Sequence, residues 1–452
     1  MNYSEERNRN QERVLSVQEA LDANDLRSVR DALASLHPAE LADLLESVPA
    51  EIRDELWLHI KPEVEGDVLA QANDSVRAAL LEKMEPYQVA AATASLAIDD
   101  AADILQDLPE SRANEVLRSM DEQNRGRIAS ILSYPEDTAG GLMNVDVVTV
   151  RADVEVDVVL RYLRLHGAIP EKTDSLMVVD RDNTYLGVLP LASLVASSAD
   201  AYVGDLMRID ADGILATTDT SSVALLFEQR DLLSAAVINA DGTLLGRITV
   251  DDVIDVIREQ SEHSFMSAAG LDEEDDMFAP VVASAKRRSL WLGLNLATAF
   301  LAAWVIGRFE ASIEQLVALA ILMPVVASMG GVAGSQTLTI VIRGLALGQI
   351  GAANARILLY RELAIGVLNG ILWAVVVAVV GGLWFGDIWL GLVIGAAIII
   401  NLIVAAFSGA VIPLILRRIN VDPALAGGVV LTTVTDVVGF VAFLGLATVF
   451  LL

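Results

Sequence analysis

The chain has 452 residues, 54% hydrophobic and 20% charged, and contains no cysteine, which excludes disulfides, thiolate metal sites and cysteine catalysis. Its charge is unevenly spread: residues 1–285 hold 22 Lys and Arg against 55 Asp and Glu, a net −33, whereas residues 286–452 hold nine against six, a net +3. An acidic excess of that size repels nucleic acid and anionic lipid and concentrates cations, although a solubilising surface adapted to salt has the same composition.

The opening MNYSEERNRNQERV is charged and lacks an apolar core, so no cleaved signal peptide is expected and the long N-terminal part is expected in the cytosol. From about Val14 to Ser133, short helical pieces punctuated by Pro repeat. LADLLESVPAEIRDEL from Leu41 matches AADILQDLPESRANEV from Ala101, with Ala42 on Ala102, Asp43 on Asp103, Pro49 on Pro109 and Glu55 on Glu115. The repeat predicts an acidic α-helical superhelix over residues 1–133, a design that binds or gates rather than catalyses.

YPEDTAGGLM (Tyr134–Met143) leads into a second repeat. SLMVVDRDNTYLGVLPLASLV from Ser175 pairs with SAAVINADGTLLGRITVDDVI from Ser234, with Gly187 on Gly246. Each copy reads as strand, Asp/Asn/Gly turn, strand and amphipathic helix, and the two in register resemble a tandem pair of CBS (α/β) domains, at 134–199 and 200–258. A cleft for an adenine nucleotide between them is an expectation of that resemblance. Residues 259–288 form an acidic connector (plug) helix with Asp272, Glu273, Glu274, Asp275 and Asp276 in one run, read as solvated linker, ending in Lys286, Arg287 and Arg288.

Residues 289–452 predict a five-helix transmembrane domain, with apolar spans at Leu290–Ile306, Leu316–Ile342, Leu363–Phe385, Leu390–Leu416 and Ala424–Leu452. Basic residues cluster before the first span, after the second (Arg343, Arg356, Arg361) and after the fourth (Arg417, Arg418), which places the N-terminus in the cytosol and the C-terminus outside the cell. In the second span, PVVASMGGVAGSQTLT from Pro324 carries Gly330 and Gly331, equally open to close helix packing and to lining a path. The fifth span opens with Asp422 as N-cap and Pro423 in the first turn, and contains one further charge, Asp436, about 14 residues or roughly 20 Å along. A charge at mid-helix costs roughly 2.5–3.5 kcal/mol, so Asp436 reads as facing a wet path or a bound cation, the alternative being a protonated or Arg-paired acid that glues helices. Gly428, Thr432, Thr435 and Gly439, spaced by three and four, join it in one polar, small-residue stripe.

YPEDTAGGLM ahead of the CBS pair, PVVASMGGVAGSQ in the second span and DPALAGGVVLTTVTDVVG in the fifth, in this order of domains, resemble the MgtE family of magnesium channels across essentially the whole chain. The resemblance implies a homodimer in the cell (inner) membrane, a pore on the two-fold axis, a hydrated Mg²⁺ at Asp436 with Thr432, Thr435 and Gly428 nearby, and closure when cytosolic acidic residues bind Mg²⁺. Carried over by position, the implied sensor ligands are Asp99 and Asp103, Asp219 and Asp231, and Asp252 and Asp255, with Asp422 at the cytosolic mouth. Asp252 and Asp255 share a helix face by spacing. The chain departs from the family at Val332, commonly Asn, and at Val429, commonly Pro.

The chemistry of the residues agrees independently. Mg²⁺ takes oxygen ligands and keeps its waters, which one carboxylate per protomer doubled by a two-fold axis supplies. Softer metals want Cys or His, and His37, His59, His166 and His263 are scattered and read as ordinary surface residues. The rivals are a carrier of another divalent cation such as Co²⁺, a CBS-regulated membrane signalling protein whose spans only anchor it, and a membrane enzyme; the last lacks any partner His, Ser or Lys in the spans near Asp436, so no enzyme is expected.

Overall fold

The computed structural model describes residues 15, 17, 19–21, 23, 25–167, 169–170, 172–268, 271, 278, 281–351, 353–419 and 421–452; the acidic run 272–276 lies outside them. The chain forms two compact units, residues 1–260 with 274–280 and residues 261–273 with 281–452.

The first unit begins with short helices: α1 (Leu26–Ala34), α2 (Pro38–Glu46), α3 (Ala50–Trp57), α4 (Pro62–Gln71), α5 (Asp74–Lys83), α6 (Pro86–Thr93), α7 (Ile98–Gln106), α8 (Glu110–Ser119) and α9 (Glu122–Ile131). Pro in the first turn starts α2, α4 and α6, where a missing N–H costs nothing. His37 caps α2, its Nδ1 accepting from Ala39 N at 3.3 Å while Glu40 accepts from His37 N at 2.9 Å. The helices stack on one continuous core from Val17 and Val29 to Ile131, as the repeat requires. Arginines tie one helix end to another. Buried Arg53 of α3 donates from Nε to Leu45 O at 2.9 Å, a last-turn carbonyl of α2 that no intrahelical N–H reaches. Arg112 of α8 donates to Leu81 O at 3.1 Å and to Met84 O at the end of α5.

Two three-stranded sheets follow. β1 (Thr149–Arg151), β2 (Ser175–Val179) and β3 (Tyr185–Pro190) pair in that order, parallel then antiparallel, with α10 (Val156–His166), α11 (Leu191–Ala196) and α12 (Val203–Leu206) around them. β4 (Ile214–Leu215), β5 (Ser234–Ile238) and β6 (Leu244–Thr249) repeat the order, with α13 (Thr220–Arg230) between β4 and β5. The copies match in detail. A register shift falls at Val178/Val179 and again at Val237/Ile238, and Asp180 and Asn239 each accept from two backbone N–H groups of their turns. Gly246 has no room for a side chain, since a Cβ there would stand 2.6 Å from Asn144 O.

The boundary expected between the CBS units is crossed twice. Ala139 and Met143, expected in the first unit, pack with Ile214, Val223 and Ile248 of the second, and Asn144 exchanges backbone hydrogen bonds with Arg247 at 2.7 and 2.8 Å. Val203, expected in the second, joins the core of the first beside Val156 and Leu176. Each unit thus borrows a segment that lies outside its own repeat.

α14 (Val250–Ala268) leaves β6 and runs into the second unit, which holds α15 (Val281–Gly307), α16 (Glu310–Gln315), α17 (Ala318–Ala346), α18 (Ala355–Phe385), α19 (Ile388–Arg418) and α20 (Pro423–Phe450). Among the described residues five helices, all of these except α14 and α16, are long and apolar enough to cross a membrane. Their ends differ from the expected spans; α18 starts at Ala355 and so takes in Arg356, Arg361 and Glu362, because a charge ends an apolar run but not a helix. α19 is the most enclosed. Glycine lets it close on its neighbours: a Cβ at Gly395 would stand 3.1 Å from Ala374 O of α18, and one at Gly409 2.7 Å from Gly334 O of α17.

Replacing Arg53 by Ala leaves the Leu45 carbonyl buried without its donor, at a cost of about 1–3 kcal/mol. The variant is expected to lower the apparent Tm of the first unit in a thermal melt, whereas Ala at exposed Arg118 should not.

Candidate functional site

A broad open groove of about 910 Å³ lies between α17 and α20. Ala327, Ser328, Gly331, Val332, Ser335, Gln336, Thr339 and Ile340 line it from α17, Thr432 and Asp436 from α20. Hydroxyl, amide and one carboxylate therefore share a wall inside an otherwise apolar unit, an arrangement suited to a hydrated cation. Thr432 Oγ1 donates to Gly428 O at 2.8 Å, so that carbonyl is already used within the helix.

The expected stripe on the fifth span divides. Thr432 and Asp436 face the groove, but Thr435 is fully buried, donates to Thr432 O at 3.1 Å and does not line it. Gly439 packs under Asn401 of α19 and Val326 of α17. The two glycines of the second span divide likewise: Gly331 lines the groove with open space beside it, while Gly330 is buried against Asn401. Spacings of three and four spread over a wide arc of a helix, and its neighbours decide which edge is dry.

Asp436 is not the lone acid of the membrane helices. Glu362, the eighth residue of α18, is 3% exposed and accepts from Thr337 Oγ1 at 3.2 Å. Asp422 caps α20 as expected, accepting from Ala424 N at 2.9 Å and Leu425 N at 3.3 Å. Its Oδ2 also meets His263 Nε2 of α14 at 3.2 Å, which corrects the reading of His263 as an ordinary surface residue. The side chain of His166 lies outside the described residues.

In the first unit, Asp99 and Asp103 of α7 and Asp252 of α14 come together with Asp100, which the sequence reading passed over, and Asp251. Asp99 is 8% exposed and accepts from Asn144 Nδ2 at 2.9 Å; Asp252 accepts from Thr249 N at 3.0 Å and Thr249 Oγ1 at 2.9 Å. Burial, then the charge of Asp99, raises Asp103 well above the usual carboxylate range, Asp100 to about 6 and Asp252 to about 7. Burial raises Asp99 too. Asp251 goes the other way: burial opposes its charge, but Lys172 and Thr249 hold it below its ordinary value. Glu259, one further step along α14, is pushed up to about 7 by burial and by Asp74 and Asp255. Among the described residues no three acids or histidines stand close enough to ligate one ion directly.

The other carried-over residues are not part of this cluster's hydrogen bonding. Asp255 is exposed and pairs with Arg258 at 3.6 Å. Asp219 caps the start of α13, accepting from Ser222 N at 2.9 Å and Ser222 Oγ at 2.7 Å, and Asp231 ends the same helix in a left-handed conformation at φ 51°. The eleven residues of helix between them hold those two about 18 Å apart, so they cannot share an ion with each other.

A CBS pair joined to five apolar helices, two of which line an acid-bearing groove, defines a multi-pass membrane protein with a soluble regulatory-type module. Family models agree: "Divalent cation transporter" matches residues 323–446, "MgtE intracellular N domain" residues 36–137, and the CBS domain residues 139–200 and 203–259. The magnesium transporter MgtE of Bacillus subtilis is 29% identical over 442 residues, 97% of this chain and 98% of the relative; that of Thermus thermophilus is 29% identical over 444 residues, 97% and 98%. A crystal structure of the cytosolic domain of the Mg²⁺ channel MgtE in complex with ATP is similar at 30% identity and TM-score 0.49, covering 54% of this chain and 99% of that one. The chain belongs to the MgtE family.

The raised acids set a pH dependence. A carboxylate near 4 when unfolded and near 6–7 when folded contributes stability that is complete below about pH 4 and lost as pH rises through about 7. The metal-free first unit is therefore expected to melt higher at about pH 5.5 than at about pH 8 in a thermal scan. Asp252→Asn, which stays neutral, should raise the melt at about pH 8 and flatten the dependence.

Proposed function

We propose that the protein is a Mg²⁺ channel that admits Mg²⁺ to the cytosol and is closed by Mg²⁺ bound at its acidic first unit. The observation that carries this reading is the Asp436 carboxylate in a wide groove whose other polar groups are hydroxyls and an amide. Such a wall holds a hard cation through its water shell, which Mg²⁺ retains more firmly than other biological cations. The groove is open along one side, and a second copy related by a two-fold axis would close it and bring two Asp436 side chains to one path, so the acting species is a homodimer. With the N-terminus in the cytosol, the membrane potential favours entry of a divalent ion by about 4.6 kcal/mol per 100 mV, and no energy-coupling step is required.

Closure rests on the cluster of Asp99, Asp100, Asp103 and Asp252. Their donors are all oxygen, and burial, then neighbouring carboxylates, make their negative charge costly to hold without a cation. Hydrated Mg²⁺ bridging them would relieve that cost, and an ion that binds the packed state better than the parted one shifts the population toward it. Asp422 and His263 lie where α14 meets the start of α20, and there the packed state would act on the pathway. The CBS pair is the place for an adenine nucleotide.

In proteoliposomes, wild type is expected to pass Mg²⁺ and Asp436→Ala to lose at least about tenfold of that flux; an unchanged flux in the variant ends the pathway reading. Co²⁺ entering through Asp436 in preference to Mg²⁺ would transfer the same site to a different cargo. For closure, millimolar Mg²⁺ should protect residues 259–288 from protease in wild type and in Asp219→Ala, but not in Asp99→Ala with Asp252→Ala. Equal protection in all three would remove the cluster from the mechanism.

A further inference from the structure

The wall of the groove is braced from behind by a residue that touches neither water nor ion. Asn401 of α19 is fully buried among apolar side chains at the centre of the membrane unit. Its Nδ2 donates to Val326 O of α17 at 2.8 Å, and its Oδ1 is buried with no hydrogen-bond partner. Both groove-lining helices carry a glycine against this amide. A Cβ at Gly439 of α20 would stand 2.8 Å from Nδ2 and 3.1 Å from Cγ, and a Cβ at Gly330 of α17 would stand 2.8 Å from Cγ and 2.9 Å from Oδ1. Gly439 lies three residues past Asp436, and Gly330 is next to Gly331 of the wall.

An orphaned acceptor in an apolar interior costs free energy that Leu, of similar volume, would not incur, so packing alone does not account for an amide here.

We propose that Asn401 is a positioning residue for the ion pathway: its amide, seated in the notch of Gly330 and Gly439, fixes the separation and rotation of α17 and α20 and so sets where the Asp436 carboxylate stands across the groove from Ser335. A hydrated ion held between two walls is sensitive to that spacing, because tighter walls demand dehydration and wider ones lose the contact to the water shell.

This inference rests on the pathway reading above, and its test separates the two. The chain has no native cysteine, so Ser335→Cys with Thr432→Cys can be spin-labelled and diluted into unlabelled chain to read the α17–α20 distance within one protomer. Asn401→Ala empties the notch without a steric push and is expected to broaden or shift that distance distribution. In unlabelled proteoliposomes the same substitution should raise the half-saturating Mg²⁺ about tenfold, the factor a lost buried hydrogen bond represents, and lower the Mg²⁺/Ca²⁺ flux ratio. A merely structural role would lower maximum flux through fewer folded channels and leave half-saturation and ratio alone. Gly439→Ala should reproduce the defect in wild type, and Asn401→Ala should soften it, since the added methyl then meets an empty notch. A wild-type distance distribution in Asn401→Ala, or a wild-type half-saturation and ratio, overturns the proposal. Flux absent from wild type would instead sink the pathway reading, leaving the distance measurement to decide whether Asn401 positions the helices.

Discussion

Carboxylates taken out of water organise both units of this chain. A buried carboxylate must lose its charge, gain a partner or face a cation, since desolvation of an isolated anion exceeds anything packing returns. The first unit shows the first two responses in a small space. Asp251 gains Lys172, Asp99 gains the amide of Asn144, and Asp100, Asp103 and Asp252 carry pKa values raised first by burial and then by the charge of Asp99. Arg77, whose charge reaches Asp103, is paired with Asp107 and Asp74. The net −33 of the first 285 residues is thus concentrated on an internal interface as well as spread over the surface.

In the membrane unit the same constraint is met by geometry. Without a hydrophobic force between helices in lipid, close approach must come from small residues, and glycines at 366, 391, 395 and 409 bring α17, α18 and α19 together. That compactness makes the faces of α17 and α20 unequal. The sides carrying Gly330, Thr435 and Gly439 are spent on packing, and the sides carrying Ser335, Thr432 and Asp436 are left to the groove. Glu362 is handled differently, sealed in with one hydroxyl donor at Thr337 away from the groove, so burial of an acid in this unit does not by itself mark the path.

Much of this was legible in residue order because repeats and helix caps are local. A constant offset aligned the superhelix, Gly187 on Gly246 aligned the two sheets, and Asp422-Pro423 marked the start of α20 to the residue. What was not legible depends on contacts far apart in the chain. Asp436 announced itself as a charge in an apolar run, but whether Thr435 or Thr432 shares its face was decided by Asn401 and Val326 on other helices. His263 meets Asp422 across 159 residues, and Ala139 joins a core whose other members begin at Ile214. Asp100 and Glu362 had a weaker signal: one adjoins an acid already chosen, and the other sits where a hydropathy window closes, one residue before the expected span.

The two acidic sites need not bind the same ion equally for one to govern the other. Linkage requires only that an ion bound at the cluster favour one arrangement of the chain, and that this arrangement hold the pathway ion differently. The physical means is a continuous helix. α14 begins with Asp251 and Asp252 in its first turn and carries Glu259 in its middle and His263 near its end, so acids of the cluster and the partner of Asp422 belong to one helix. Under the proposed closure, an ion at Asp252 would act through the 11 residues, or about 16 Å, of helix between Asp252 and His263. A flexible linker of the same length would dissipate the signal. Under that proposal the −33 charge would serve closure through a segment that is helical as far as His263.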